Sequence, residues 1–305
     1  MILRFLFALF WLATVARAAD PVGLLSMVSG EVQILRAGES APVAARTADL
    51  IAAGDRVLTG PNSEATFLFC PDSRAARMAA ETEVQFEAAT LAVRKGTLGE
   101  ERKIPTCRLP STLALAAASK LQSGMTRLRG RDLLLRSPSR TNIAELNPQF
   151  RWEPVENATG YELKLLDREE RILWRQSLSA TESHYPEDAL ALEWGQKYWW
   201  RVTAREGNET VSEVGSYFQV LPNDQAEGVR ATEAALEQLR EANPADNGPL
   251  FLLAFLYEEN GMLDEAARLY SELSQRMGPQ DWVQGRLNDL MGKLGWDRFD
   301  SAPPR

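Results

Sequence analysis

Residues 54–67 read GDRVLTGPNSEATF, in which a short apolar strand lies between two clusters of turn-forming residues. Glycine adopts positive φ, and Asp, Asn and Ser side chains bond nearby backbone amides, so Gly54-Asp55 and Gly60-Pro61-Asn62-Ser63 favour turns. From Met78 to Glu87, mostly apolar residues alternate with charged and amide residues, which is typical of half-buried strands. The same pattern of short alternating segments separated by turn-forming residues extends on both sides and predicts an all-β domain over residues 22–110.

A family resemblance rests on this stretch and on Gly30-Glu31-Val32. The two segments resemble the FecR-type extracytoplasmic domain, whose pattern is a G-x-V strand followed by G-D-x-hydrophobic-x-T-G-x-x-S-x-A. The match covers about residues 25–100. It departs from the family where Asp72-Ser73 replaces a D-G turn, and in its two cysteines. The resemblance implies a β fold outside the cytoplasm and, as one functional alternative, periplasmic sensing or signal transduction.

The amino-terminal residues have the pattern of a secretory signal peptide. Arg4 precedes the apolar stretch 5–16, and Ala16-Arg17-Ala18 is a small-x-small cleavage site. We therefore expect a signal peptide over residues 1–18, cleaved after Ala18, with an uncleaved membrane anchor as the alternative. No later segment reaches the roughly 18 apolar residues of a membrane span. The mature chain is accordingly predicted to have no transmembrane segment and to be periplasmic or secreted.

The two cysteines are predicted to form a disulfide. Cys70 and Cys107 both fall in the first β domain, and their even number in an exported chain favours a pair. The alternative is two buried free thiols.

Composition argues against most catalytic and nucleic-acid-binding classes. The formal net charge is −8, whereas neutralising phosphates needs clustered Lys and Arg. One histidine and two cysteines are too few for the common zinc sites and for most histidine-dependent nucleophiles. We therefore predict no nucleic-acid partner, no metal, no other cofactor and no enzyme activity. A carboxylate-based hydrolase is the lesser alternative, because 42 acidic residues offer many pairs.

The middle of the chain has a linker followed by a second segment with the alternating pattern of β-strands. Residues 111–141 are predicted to be a helical, basic linker, with the helix over 111–128. Residues 142–222 alternate again and are rich in aromatic residues. Trp152 and the set Leu192, Gly195 and Tyr198 resemble the buried tryptophan and the tyrosine corner of fibronectin type III and immunoglobulin-like sandwiches. The resemblance implies a β-sandwich that serves as a spacer or a binding module.

One tryptophan of this sandwich has two interpretations. Trp199 lies next to Trp200 in the strand, so the two side chains point to opposite faces. Trp199 is therefore either an inter-domain packing residue or a stacking platform for a sugar or a partner.

Residues 224–296 have helical spacing and resemble a tetratricopeptide repeat. The matching features are an apolar first helix, Gly261 at the inter-helix turn, and Asp264-Glu265-Ala266 at the start of the second helix. On that family's geometry, the candidate partner-binding residues of the concave face are Phe251, Phe255, Glu258 and Glu259. The alternative is that both phenylalanines pack on neighbouring helices. Residues 297–305 are expected to be a disordered tail.

These features together predict a non-catalytic exported envelope protein that acts as a modular binding or scaffold protein. The predicted fold class is multidomain, with an all-β domain, a β-sandwich and all-α helical hairpins in that order. The expected partner is a protein or peptide of the envelope, or a cell-wall glycan. We further expect each β domain to own its core, so that both remain folded without the helices.

Overall fold

The computed structural model describes most of the predicted mature chain; the described residues are 20–109, 133–278 and 280–296. Three predicted features lie outside these ranges: the signal peptide with its cleavage site, the linker helix and the carboxy-terminal tail. Within the described ranges, no helix has the length and apolar character needed to cross a membrane. The described architecture is mostly β, with helices gathered at the carboxy-terminal end.

The first domain is a sandwich of two five-stranded antiparallel sheets. The helix-facing sheet has the order β10-β7-β6-β1-β4, and the outer sheet has the order β3-β2-β5-β8-β9. The strands are β1 (Pro21–Ser29), β2 (Val32–Leu35), β3 (Val43–Ala44), β4 (Leu50–Ala52), β5 (Arg56–Thr59), β6 (Glu64–Phe69), β7 (Arg74–Met78), β8 (Glu83–Phe86), β9 (Leu91–Lys95) and β10 (Leu98–Lys103). Between the sheets, the rings of Phe67 and Phe86 meet edge to face at a centroid distance of 5.0 Å.

The Gly54-Asp55 turn holds the outer sheet together. Gly54 has φ +91°, a conformation that residues with a Cβ rarely adopt. Asp55 is buried, and its carboxylate accepts hydrogen bonds from the backbone amides of Ala37, at 2.9 Å, and Ala52, at 3.0 Å. Arg36 completes the set with an ion pair at 2.9 Å. The turn carboxylate is therefore fully used in joining loops of the domain.

The predicted disulfide is confirmed. Cys70 and Cys107 are bonded, with their Cα atoms 4.9 Å apart. The bond joins the single-turn 3-10 helix Cys70–Asp72, which follows β6, to the segment after β10.

The second domain is a β-sandwich, as predicted. A three-stranded sheet of order β11-β13-β16 faces a five-stranded sheet of order β12-β18-β17-β14-β15. The strands are β11 (Leu135–Ser137), β12 (Thr141–Ile143), β13 (Gln149–Trp152), β14 (Gly160–Leu166), β15 (Ile172–Leu178), β16 (Glu182–His184), β17 (Lys197–Glu206) and β18 (Glu209–Val220).

The sandwich begins before the predicted boundary at residue 142. Leu133 and Leu135 are buried in its core, and Leu135 pairs with Trp152 across β11 and β13. The predicted linker over 111–141 is therefore too long at its carboxy-terminal end. The two leucines stand among basic residues in this segment. Because they are two residues apart in a strand, both side chains point into the sandwich.

The predicted core residues of the sandwich are confirmed. Trp152 and Tyr198 are both buried, and Trp152 packs near Trp200 and edge to face on Tyr161. The Tyr198 hydroxyl accepts a hydrogen bond of 2.9 Å from the backbone amide of Glu193. This contact fixes the corner that leads into β17.

Tyr198→Phe is expected to lower the free energy of unfolding by about 1–2 kcal/mol, because the Glu193 amide loses its acceptor in a water-poor site. Urea unfolding followed by tryptophan fluorescence measures the change. Tyr217→Phe, at a tyrosine that is 37% exposed, is the matched control and should change stability by less than about 0.5 kcal/mol. Equal losses in the two variants would contradict the assigned role of Tyr198.

Four antiparallel helices form the carboxy-terminal part of the described chain. They are α1 (Asn223–Ala242), α2 (Gly248–Glu259), α3 (Leu263–Met277) and α4 (Asp281–Leu294). The turn between α2 and α3 uses Gly261 at φ +67°. A Cβ there would lie only 2.7 Å from the Asn142 side chain, so the turn also fits closely against the second sandwich.

The helices share one hydrophobic core with the first domain. Leu24 and Leu68, on the helix-facing side of β1 and β6, belong to the same buried cluster as residues of all four helices. Leu221, at the end of the second sandwich, joins this cluster. The first domain has a core of its own between its two sheets, in agreement with the expectation. Its helix-facing sheet is also buried on the other side, so part of its apolar surface belongs to the cluster shared with the helices.

Candidate functional site

The two phenylalanines predicted to bind a partner are core residues. Phe251 is 0% exposed and Phe255 is 4% exposed. Their rings lie 6.2 Å apart and contact Trp282 of α4, at centroid distances of 5.7 Å for Phe251 and 6.3 Å for Phe255. The prediction that they anchor a peptide is wrong, because neither ring reaches solvent.

The two predicted acidic residues differ in environment. Glu258 accepts a hydrogen bond of 3.0 Å from the Tyr270 hydroxyl and forms an ion pair with Arg286 of α4. Its carboxylate is thus used inside the helical region. Glu259 is near the surface and lies 3.5 Å from the guanidinium of Arg108, which follows the first domain. The four predicted residues therefore form no shared, open groove.

The first β domain covers the helical face that the sequence assigns to a partner. The Trp282 indole donates a hydrogen bond of 2.8 Å to the carbonyl of Ala48. Asp246, in the loop before α2, forms an ion pair with Arg102 of β10 at 3.3 Å. Gly248, at the start of α2, sits so close to Leu68 that a Cβ would lie 3.0 Å from its side chain. The first β domain of the same chain therefore occupies this helical face.

A buried carboxylate joins the helices to the second sandwich. Asp264, in the first turn of α3, accepts hydrogen bonds from the hydroxyls of Thr141, at 2.8 Å, and Ser137, at 2.9 Å. The adjacent backbone amide of Asn142 donates to the carbonyl of Gly261 at 2.8 Å. Burial raises the pKa of Asp264 from 3.8 to about 7, and the nearby charge of Glu265 acts in the same direction.

The pH dependence of stability should therefore carry a contribution from Asp264. Because its pKa is higher in the folded than in the unfolded chain, folding binds a proton between the two values. The free energy of unfolding should then fall as the pH rises from about 4 to about 7. Asp264→Asn should remove this fall, as measured by urea unfolding across that range. The matched control is Asp281→Asn, at an exposed carboxylate in the first turn of α4. The same change of pH profile in both variants would contradict the assignment.

An aromatic pair, with one exposed and one half-buried ring, lies on the outer face of the five-stranded sheet of the second sandwich. Trp199 of β17 and Tyr217 of β18 are directly opposite each other in the register. The ammonium group of Lys197 lies 3.6 Å from the Tyr217 ring centroid and 5.4 Å from that of Trp199. Cation–π attraction holds this lysine across the two rings.

A row of cations crosses the same face beside the aromatic pair. Lys164 of β14 is opposite Arg175 of β15 on one side and Arg201 of β17 on the other. We call this surface the aromatic–basic face and define it by Lys164, Arg175, Lys197, Trp199, Arg201 and Tyr217.

Two carboxylates partly neutralise the row. Glu162 lies 2.8 Å from the Lys164 ammonium and 3.4 Å from the Arg175 guanidinium, and Glu213 lies 3.4 Å from Arg201. The hydrogen bond from Lys164 lowers the pKa of Glu162, so this group is ionised at neutral pH. The aromatic–basic face thus combines stacking surface with paired, solvent-accessible cations.

Sequence reasoning identified one member of this face, Trp199, and missed the cations. Lys164, Arg175 and Arg201 are far apart in sequence and become neighbours only through the strand register. Among the described residues, no group of three or more His, Cys, Asp or Glu is arranged to hold a metal ion.

Comparisons with known proteins assign no family. No protein-family model matches the sequence, and no curated protein matches it. Among solved structures, a two-domain fibronectin type III segment of chicken tenascin is 10% identical and aligns over 67% of this chain and 96% of that one, with a TM-score of 0.23. The FN1–FN3 domains of chicken CNTN1 are 9% identical over 66% of this chain and 57% of that one, with the same TM-score.

CopC from Methylosinus trichosporium OB3b is 15% identical over 30% of this chain and 94% of that one, again with a TM-score of 0.23.

Proposed function

We propose that this protein is a non-catalytic, exported envelope protein that acts as a modular binding and scaffold protein. The observation that carries the proposal is the aromatic–basic face, which presents Trp199, Tyr217 and several cations to solvent on a rigid sheet. The helical face first expected to bind a partner is filled by the first β domain. Binding is therefore assigned to the outside of the second sandwich.

The module types support a binding role. The first domain has the Gly54-Asp55 turn of the FecR-type pattern at a position that requires positive φ. The second has a three-on-five strand arrangement, a buried Trp152 and the Tyr198 corner, which favour a fibronectin type III-like domain. Such sandwiches commonly serve as spacers or interaction modules.

In this proposal the helices hold the two β domains in a fixed arrangement. The α2–α3 hairpin, with its Gly261 turn, supports the resemblance to a tetratricopeptide repeat. The helical region contacts the first domain through Trp282 of α4 and the second through Asp264 of α3. A helical region that packs on both domains fixes them relative to each other and so sets the direction in which the aromatic–basic face points.

The disulfide supports export. A bond between Cys70 and Cys107 persists in oxidising compartments, which include the periplasm and the extracellular space. This agrees with the signal peptide predicted over residues 1–18.

Sedimentation with an isolated envelope fraction tests the proposed function. The purified mature chain should move into the pellet in a saturable manner, and protease treatment of the envelope beforehand distinguishes a protein partner from a glycan. A chain that stays in the supernatant at all envelope concentrations would contradict a binding role. Release of soluble glycan fragments by the purified chain would contradict the non-catalytic assignment.

A further inference from the structure

We infer that the aromatic–basic face binds an anionic polysaccharide, one that carries carboxylate groups on its sugar rings. The inference rests on the proposed binding function and specifies its ligand. Three features of the face carry it: the aromatic pair, the excess of cations, and the side-by-side placement of three of these cations.

The aromatic pair supplies a surface suited to sugar rings. Trp199 and Tyr217 sit side by side on neighbouring strands, and Tyr217 is 37% exposed. Large aromatic side chains offer a broad apolar area with little conformational entropy to lose. The apolar side of a pyranose ring can therefore stack there, while its polar substituents point toward Lys197.

The charge of the face is opposite to that of the whole chain. The face has four cations, Lys164, Arg175, Lys197 and Arg201, and Arg205 lies beside it; the carboxylates nearby are Glu162 and Glu213. These seven groups together have a net excess of three positive charges, whereas the chain has a formal net charge of −8. Arginine and lysine form charge-assisted hydrogen bonds with carboxylates, so the face is complementary to an acidic ligand.

Three cations of the face stand side by side, because Lys164 lies directly between Arg175 and Arg201 in the register. Like charges opposite each other on a sheet repel, and Glu162 and Glu213 offset this repulsion in part. A ligand carboxylate placed over the row would add a further counter-charge to the three cations.

Gly215 leaves the backbone opposite Arg201 without a side chain of its own. It lies inside the long strand β18, where a glycine costs stability. Its φ is not positive, and an added Cβ would make only ordinary contacts, at 3.4 Å from the Trp200 carbonyl and 4.0 Å from the Arg201 guanidinium. A larger residue therefore fits the strand here and adds a side chain directly beside Arg201.

The ligand class follows from these features together. The carboxylates Glu162 and Glu213 interrupt the cations, which disfavours the closely spaced phosphates of a nucleic acid. The disulfide places the chain in oxidising compartments. There, acidic glycans are polymers that present both a stacking face and a carboxylate in each repeating unit.

Titration calorimetry with polygalacturonate, in which every pyranose ring carries a carboxylate, tests the inference. The mature chain should bind this polymer, bind it more weakly as salt screens the charges, and not bind neutral dextran. Trp199→Ala should weaken binding about tenfold or more, which corresponds to about 1.4 kcal/mol or more. Arg94→Gln, at an exposed cation of β9 in the first domain, is the matched control and should leave binding unchanged.

Gly215→Thr separates binding from folding. The threonine adds a side chain beside Arg201 on this face and favours a strand, so the melting temperature should stay the same or rise while polygalacturonate binding falls. Unchanged binding in this variant and in Trp199→Ala would overturn the inference. So would a preference for oligo-thymidylate or for anionic phospholipid vesicles over polygalacturonate. If the wild-type chain sediments with envelope but does not bind polygalacturonate, the ligand class is wrong and the binding function stands. If the chain neither sediments with envelope nor binds polygalacturonate, the ligand class and the binding function are both wrong.

Discussion

Leu68→Asp is expected to destabilise the chain by more than about 4 kcal/mol and to disturb the helices as well as the first domain. Leu68 is 1% exposed and lies on the helix-facing side of β6, against the start of α2. The substitution removes a buried side chain from the apolar cluster shared with the helices and places a second carboxylate near the buried carboxylate of Asp246. An unpaired buried charge is among the largest single penalties that a fold can receive.

Urea unfolding followed by circular dichroism measures both consequences, because the far-ultraviolet signal at helical wavelengths reports the helices separately from tryptophan emission. Val93→Asp is the matched control, since Val93 is 42% exposed on the edge strand β9. The control should change stability by less than about 0.5 kcal/mol. If Leu68→Asp were as mild as the control, the helix-facing sheet would not be covered by the helices.

Phe251→Ala is expected to lower the free energy of unfolding by about 3–5 kcal/mol, the usual cost of emptying a fully buried aromatic site. The loss follows from the position of the ring between Phe255 and Trp282. Urea unfolding of the mature chain measures it.

The same variant separates the core role from the peptide-anchor role that the sequence first indicated. An anchor residue would leave stability unchanged and abolish partner binding. Leu190→Ala is the control, because Leu190 is 66% exposed in the second sandwich. A Phe251→Ala chain as stable as this control would contradict the core assignment.

The order of two β domains followed by helices, and the core positions of Trp152 and Tyr198, were predictable from the sequence, because alternation and turn residues act over short distances. The covering of the first domain was not predicted, although a local signal existed. Strand β6 reads Glu64-Ala-Thr-Phe-Leu-Phe69, with Phe67, Leu68 and Phe69 all apolar. A strand with apolar residues on both sides is buried on both faces. Leu68 therefore indicated a second packing layer, and only the structure shows that the layer is helical.

The early start of the second sandwich had a similar cause. Leu133 and Leu135 stand among Arg131, Arg136 and Arg140, and the local positive charge favoured a solvated connector. Two leucines two residues apart are sufficient to form a short edge strand. The alternating pattern covers only three residues, however, and so short a pattern cannot be distinguished from chance in a sequence.

The aromatic–basic face lay beyond sequence reasoning for a different reason. The neighbours of Lys164 are Arg175 and Arg201, which are set by the pairing of three strands. Register depends on turn geometry and on side chains packed on the opposite face, so no local pattern states which charges will meet.

Likewise, the concave-face prediction was reasonable on helical spacing alone, since residues four apart share a helix face. Spacing tells that Phe251 and Phe255 point the same way. It does not tell that Trp282 and the first domain lie there.

The central claim is that the helices pack against the first β domain. Hydrogen exchange followed by mass spectrometry tests it most directly, with the wild-type chain compared with Leu68→Ala. The milder substitution keeps the chain folded while removing apolar contact at the interface. The account predicts faster exchange in α2 (Gly248–Glu259) and α4 (Asp281–Leu294), far along the sequence from the substitution, with β17 (Lys197–Glu206) unchanged. Faster exchange confined to β6 and β7, with both helices as protected as in the wild-type chain, would contradict it.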